Sequence, residues 1–307
     1  MDLRDRFFGM GTPEPGGLPV ANLTWPDPPS FQLLFPAPLD LDASALTQSL
    51  RDYHPELAKA TAELVRIPAP PPLPESTGGP PAIMGLVAWG RHVVKVVGFD
   101  APIPVSVLDH TVGLSHYDPA LKQAAYAHAS HVLLFYAGYE PNVLEQHVAL
   151  ATTAAMLARF GAIIAVNETA HTSVPAPALL PHEEDGGDTL QAMRTLPLPF
   201  LYAGFVKIEA DNEPGVWMRT YGCHVFSLPD LAIRTDGIHR GTATFNLFSI
   251  MLAYLRESGQ TFVPGDMIGA GEGQFLRMRE PKPHEWFLES AGRMLVAEPA
   301  SPEEVGK

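Results

Sequence analysis

Twelve histidines stand among the residues of this chain that could do chemistry. Glu168, His171, Thr172 and Ser173 follow the apolar run AIIAV in the segment NETAHTSVP. The C-terminal end of a buried strand is a common place for function, and Glu, His and Ser together hold the groups a hydrolase needs. A serine nucleophile would call for a sharp G-x-S-x-G turn, and none occurs. Asp109-His110, close to His116, sets a carboxylate beside an imidazole. Adjacent residues rarely make the hydrogen bond of a triad, so a polar loop is expected there. His224 completes a set of four candidates, Glu168, His171, His110 and His224, that would have to converge on one pocket for acid–base catalysis. His128 and His131 could share a metal if both lay on one helix. No third ligand and no HExxH is present, and His131 starts a strand, which turns the two rings apart.

Other motifs resolve into structure rather than chemistry. His182 to Asp188 (HEEDGGD) lacks the alternating spacing of a calcium loop and reads as a solvated acidic loop. Gly265, Gly269, Gly271 and Gly273 include a G-x-G, but no strand–G-x-G-x-x-G–helix order follows, and there is no phosphate-binding G-x-x-x-x-G-K-[ST]. Hairpin turns account for these glycines, and neither a cofactor nor a metal is expected. Cys223 lies in a run that reads as a strand, where it acts as a small core residue. It is the only cysteine, which excludes an internal disulfide and a thiolate zinc site.

Elements must position these residues. Of 307 residues, 46% are hydrophobic and 18% charged, enough apolar material for a substantial core. Half of the 32 prolines fall in residues 1–81. Residues 1–30 read as a Pro/Gly-rich arm, loosely docked. Residues 31–67 read as a small strand–helix unit packed on the main body. It holds the strand FQLLF and a helical face of Leu46, Leu50, Tyr53, Leu57, Ala60 and Leu64, interrupted at Pro55. Residues 68–81 read as a Pro-rich linker or loop, with a polyproline ligand as the functional alternative. The main domain spans 82–296, and an acidic frayed tail follows at 297–307.

Within the main domain the strand GRHVVKVVGF precedes a helix opened by Asp118-Pro119. HVLLFY is a strand, Pro141 opens an alanine-rich helix ended by Gly161, and AIIAV is a strand. Phe200 to Ala210 and Val216 to Phe226 read as strands joined by the turn DNEPG. A long helix from Thr242 to Ser258 carries Phe245, Phe248, Leu252 and Leu255 on its core face, and a hairpin turns at GAGEG. The fold class expected is α+β, a mainly antiparallel or mixed sheet with helices packed on one face, with two related α+β halves left open.

Charge narrows the partners. Twenty Lys and Arg against thirty-four Asp and Glu give a net charge of −14, and the bases are scattered. Nucleic acid is therefore not expected. No long uncharged apolar run is present, so no membrane insertion is expected, and the N-terminus MDLRDRFFGMG has no apolar leader core. The expected location is cytoplasmic. An acidic surface suits solubility and also docking onto a protein partner.

A further ordered set stands in the second half: Trp217-Met218-Arg219-Thr220-Tyr221-Gly222, then Phe226, then Leu228-Pro229-Asp230-Leu231. A long helix containing Asn246 and then Pro264-Gly265-Asp266-Met267-Ile268-Gly269 follow it. With the VVKVVGFDAPIP, HASHVLLFY and GAIIAV segments, this resembles the bacterial domain of unknown function 4261 over about residues 82–280. The resemblance implies a shared fold and a bacterial origin and carries no catalytic residue. Structural roles are expected for Thr220 and Gly222 in the T-x-G strand, Pro229 and Asp230 at a turn or cap, and Gly265 and Asp266 at the hairpin entry. The functional expectation is a non-enzymatic interaction protein, an accessory or immunity-type factor in a bacterial secretion, competition or defence locus. The alternatives are a hydrolase with a Glu/His-lined pocket and a small-ligand sensor with a pocket under the long helix.

Overall fold

The computed structural model describes residues 2–10, 19–68, 80–182, 188–210, 214–271 and 273–301. Most of the Pro-rich stretch, the acidic core of HEEDGGD, the start of DNEPG, Glu272 of the GAGEG turn and the last six residues lie outside the described residues. The chain forms two compact units: residues 1–168 with 173–196, and residues 169–172 with 197–307. Both units combine helices with antiparallel or mixed sheet, so the fold class is α+β, with two sheets.

The first unit holds α1 (Leu3–Phe7), β1 (Ser30–Phe35), α2 (Ala43–Tyr53), β2 (Thr61–Arg66), β3 (Ile83–Trp89), β4 (His92–Phe99) and α3 (Val105–His110). It continues with α4 (Pro119–Tyr126), β5 (Ser130–Tyr136), α5 (Val143–Ala158), β6 (Ile164–Asn167), β7 (Thr172–Pro175) and α6 (Thr189–Thr195). Its sheet runs β2-β3-β4-β5-β1-β6-β7. FQLLF is therefore no satellite: β1 pairs antiparallel with both β5 and β6 near the middle of the sheet. Successive residues Leu33 and Leu34 are both fully buried, which requires cover on both faces. Phe31 meets His147 of α5, whereas Leu34 joins the cluster of Leu108 from α3, Val112 from the turn after it and Ala125 from α4. Helices thus pack on both faces of this sheet, not on one.

Local chemistry sets many boundaries. The Asp118 side chain accepts from the Ala120 amide and Pro119 opens α4. Asn142 caps α5, and Gly161 follows it at φ 96. Trp89 pairs with His92, leaving Gly90 and Arg91 as a two-residue hairpin turn. Other expectations are corrected. Helix α2 stops at Tyr53, because His54 before Pro55 is extended, and only a single 3₁₀ turn follows. Ala60 and Leu64 are not helical; Leu64 lies in β2. The described parts of the N-terminal arm are docked: Phe7, Val20 and Ala21 are buried, and Arg6 forms an ion pair with Glu63.

The second unit holds α7 (Leu198–Leu201), β8 (Gly204–Ile208), β9 (Val216–Tyr221), β10 (Asp230–Thr235), α8 (Gly241–Ser258), β11 (Met267–Gly271), β12 (Gln274–Arg279) and β13 (Met294–Ala300). Its sheet runs β11-β12-β13-β10-β9-β8, with β10 and β13 parallel and the other pairs antiparallel. Phe200 belongs to α7 rather than to a strand, and β9 ends at Tyr221 rather than Phe226. Gly222 there adopts φ 82 and opens a 3₁₀ turn, a left-handed step that a side chain would oppose. Residues Ala297 to Ala300 are strand rather than frayed tail, because all four pair with β12 and Ala297 pairs with β10 as well. Gly259 ends α8 at φ 66. Among the described residues no helix is long and apolar enough to cross a membrane.

Candidate functional site

The four residues considered for acid–base catalysis divide two and two between the units. In the first, exposed Glu168 accepts a hydrogen bond from Gln32 at 2.7 Å, and exposed His110 meets the Ser106 carbonyl through Nδ1 at 2.6 Å. The Asp109 carboxylate accepts from Tyr126 instead of orienting a histidine. In the second, the His171 ring lies parallel to Tyr221 at 4.6 Å, and His224 packs closely on Gly292. Ser173 bonds to Ser115 and Tyr117, a hydroxyl cluster in which no base stands. His128 accepts from the Ile103 amide through Nε2, and His131 meets the Ala101 carbonyl and stacks on Phe99. Among the described residues no group of three His, Cys, Asp or Glu could hold a metal.

The second unit gathers its polar groups around β9. Asp230 is fully buried at the start of β10. Its Oδ1 accepts from the Thr220 hydroxyl and the Cys223 amide, both at 3.1 Å, and its Oδ2 accepts from Ser290. Thr220 in turn accepts from the Leu231 amide at 2.9 Å, so the T-x-G and P-D-L segments are tied through one carboxylate. Cys223 sits inside this knot. Burial pushes its thiol well above the ordinary cysteine range, which removes it as a nucleophile. Pro229 is buried before the knot. At the hairpin entry Gly265 has φ 99, and Asp266 accepts from the Val263 amide at 2.8 Å.

Alternation along β9 puts Trp217, Arg219 and Tyr221 on one face of the sheet. Arg219 is fully buried, and its Nη1 donates to the carbonyls of Phe287 and Glu289 at 3.1 and 3.0 Å. Its guanidinium lies 3.7 Å from the centre of the Tyr221 ring. A guanidinium and an imidazole this close to one ring must take opposite sides of it, so Tyr221 is sandwiched between Arg219 and His171. His171 holds φ 51, a left-handed conformation that costs a non-glycine residue on the order of 1 kcal/mol.

The same face continues outward as a charged row. Arg234 is opposite Trp217, Arg277 is opposite Glu298, and Ile233 beside Ala297 places Arg234 next to Glu298. Arg279 shares the face of Arg277. A cleft of about 360 Å³ opens here, lined by Trp217, Arg234, Arg279, Lys282, His284, Glu285 and Glu298 among others. Lys282, His284 and Glu285, from the loop that precedes Trp286, form one side of it. Glu285 is 3% exposed and receives both Arg279 Nη groups at 2.6 Å and the Lys282 amide at 2.7 Å. Burial opposes its charge, but the Arg279 guanidinium outweighs that and holds its pKa below the usual carboxylate value. Arg279 also forms an ion pair with Glu298 at 2.6 Å. With Glu285 pinned, the loop presents the next residue, Trp286, at 77% exposure.

A second cavity of about 580 Å³ lies against the opposite face, lined by Ile233, Ala243, Leu247, Phe275 and Leu276 together with Thr235, Asp236 and Arg240. It stands beside the long helix α8. The residues of the charged row were not singled out from the sequence. Their signal was present as Arg277 and Arg279 two apart in a strand, followed seven residues later by Trp286 after a polar run.

Residues 219–289 match the family model described as Domain of unknown function (DUF4261). Of the resemblance read over 82–280 in the sequence, the match covers the part from residue 219 onward, within the second unit. The matched segment runs from Arg219 to Glu289, whose carbonyl receives Arg219, and it contains the pinned loop. No curated protein and no solved structure matches the chain.

Proposed function

We propose that this chain is a non-enzymatic interaction protein whose recognition surface is the charged sheet face and pinned loop of the second unit. The observation that carries the reading is Trp286. A tryptophan 77% exposed, next to a buried glutamate that a part-buried ion pair holds, leaves a large apolar surface in water. Exposed aromatic and arginine side chains around a cleft are what protein interfaces use as anchors. The acid–base alternative draws no comparable support, since its four candidates are engaged by four different neighbours and the single thiol is buried and protonated.

A photo-crosslinking residue placed at Trp286 in cells of the native host tests this. A discrete adduct with one protein, missing when the crosslinker is moved to exposed Tyr139 of the first unit, is expected. The same background of adducts from both positions would sink the reading. A bacterial competition, secretion or defence setting is the context we propose for such a factor.

The cavity beside α8 favours a second reading, a small-ligand sensor. At about 580 Å³, lined by both apolar and polar side chains, it has the size of a ligand site. A thermal-shift screen with apolar carboxylic acids and amides checks it, and no stabilisation by any member, or equal stabilisation of Leu247→Trp, would remove it.

A further inference from the structure

We infer that the cavity beside α8 binds a small uncharged molecule with an apolar body and one hydroxyl or amide group, which pairs with the Thr244 hydroxyl. The inference rests on the small-ligand reading above and names its ligand class. Position is the first argument. Strands β10 and β13 are parallel neighbours, and α8 begins shortly after β10. Ile233 and Thr235 line the cavity from the end of β10, Pro299 and Ala300 from the end of β13, and Ala243 and Thr244 from the start of α8. It therefore lies at the carboxyl ends of two parallel strands, beside the first turns of the helix that follows one of them. Sheets connected in this way take their ligands at that place.

An unpaired hydroxyl is the second argument. Thr244 is 5% exposed, and its hydroxyl has no hydrogen-bond partner among the described residues. Other helical hydroxyls of the chain bond the carbonyl four residues back, as those of Thr47, Thr111, Thr153 and Ser249 do. The second threonine of the lining, Thr235, already donates to the Val216 and Gly237 carbonyls at 3.1 and 3.2 Å. A hydroxyl buried without a partner costs stability, and the cavity that Thr244 lines is where a partner can reach it. Charge is the third argument. The charged side chains of the lining are Asp236 and Arg240. Each is the other's counter-ion, with Nε on Oδ1 at 3.0 Å and Nη2 on Oδ2 at 3.5 Å. A carboxylate or an ammonium entering here would give up its water for no free counter-charge. Leu247, Phe275 and Leu276 supply the contact for an apolar body.

The test uses the full chain and a matched set of phenyl compounds titrated by saturation-transfer NMR. 2-Phenylacetamide and 2-phenylethanol are the neutral probes. Phenylacetate and phenethylammonium are their charged counterparts, and ethylbenzene is the apolar control. At pH 7 the amide and the alcohol are expected to bind about tenfold tighter than either ion. Thr244→Val is expected to weaken both neutral probes about tenfold and to leave ethylbenzene unchanged, a split that general loss of the fold does not produce. Thr244→Ser, which keeps the hydroxyl, is expected to hold the neutral probes as the parent does. If Thr244→Val fails to fold by circular dichroism, Thr244→Ala replaces it with the same expectation. An ion that binds as tightly as the amide, or neutral probes that bind the Thr244 variants without loss, would overturn the inference. Binding of ethylbenzene or of the ions alone removes only this inference. No binding by any probe or by any member of the thermal-shift screen removes the small-ligand reading beneath it as well.

Discussion

The two units bury different kinds of polar group. The first hides groups that are neutral near pH 7: Thr111, Ser130, Gln146, Thr152, Thr153, Asn167 and Ser173, with His128 and His147. Arg6, beside Glu63, is its one buried cation among the described residues. The second hides neutral Thr172, Thr220 and Thr244 as well, but adds three ionisable groups, Arg219, Asp230 and Glu285. A neutral polar group needs one or two local hydrogen bonds, often to its own helix, as His147 finds at the Val143 carbonyl. A buried charge needs partners that converge from elsewhere in the chain. The second unit therefore spends its burial on fixing loops, and the surface those loops present is the one we assign to recognition.

Breaking the charged knot should have the largest effect. Asp230→Ala leaves the Thr220 hydroxyl, the Cys223 amide and Ser290 without their acceptor, and a loss of about 4 kcal/mol is expected. Urea unfolding followed through Trp217 and Trp286, in a chain whose Trp25 and Trp89 are replaced by Phe, reads the second unit alone. A loss under 1 kcal/mol would show that the knot is not what holds β9 to β10.

Arg279→Met strips Glu285 of its partner and should cost about 3 kcal/mol, the lower end for a broken buried pair. Limited chymotryptic cleavage after Trp286 and Phe287 should accelerate with it, and unchanged cleavage would refute the pinned loop.

Acid should separate the units. Burial drives the His147 pKa down to about 4, and lowers those of His92, His128 and His131. A histidine depressed in the fold protonates first in the unfolded chain. Its stabilisation is complete above the unfolded value near 6.5 and is lost as pH falls toward 4. For His147 this amounts to about 3 kcal/mol. Glu285 and Glu298 are depressed carboxylates, so their contribution persists above about 4.5 and fades only below it. Between pH 6.5 and 4.5 the first unit should weaken while the second holds. Denaturation monitored through Trp25 and Trp89, against Trp217 and Trp286, gives the comparison, and His147→Gln should flatten the first curve.

The smallest effect expected on stability is that of Trp286→Ala, within about 0.5 kcal/mol, because an exposed side chain loses little on removal. Its crosslinked partner should nevertheless weaken markedly. A large change in stability with binding intact would reverse the assignment of this loop.

Much of the first unit could be read from its residues. Asp118-Pro119, Asn142 and Gly161 act within one helical turn, and FQLLF, HVLLFY and AIIAV carry their own burial pattern. The T-x-G and P-D-L segments were legible as a linked set, though not as one hydrogen-bonded knot. The central place of β1, the strand at Ala297 to Ala300 and the cover on both sheet faces depended on pairing with distant strands. The catalytic set drawn from Glu168, His171, His110 and His224 rested on residue type alone, which says nothing about convergence.

What the amino-acid order determined by itself was therefore local: helix starts and stops, the α+β class, the acidic surface and the absence of a reactive thiol pair. Tertiary structure decided which charges were buried and which aromatic was left in water. Arg219 finds its acceptors 68 and 70 residues later, and Ser290 reaches Asp230 across 60. Capping and periodicity act over a few residues and leave a trace in the sequence. The balance between desolvation and pairing that permits a buried arginine is struck only when the sheet brings its partners together.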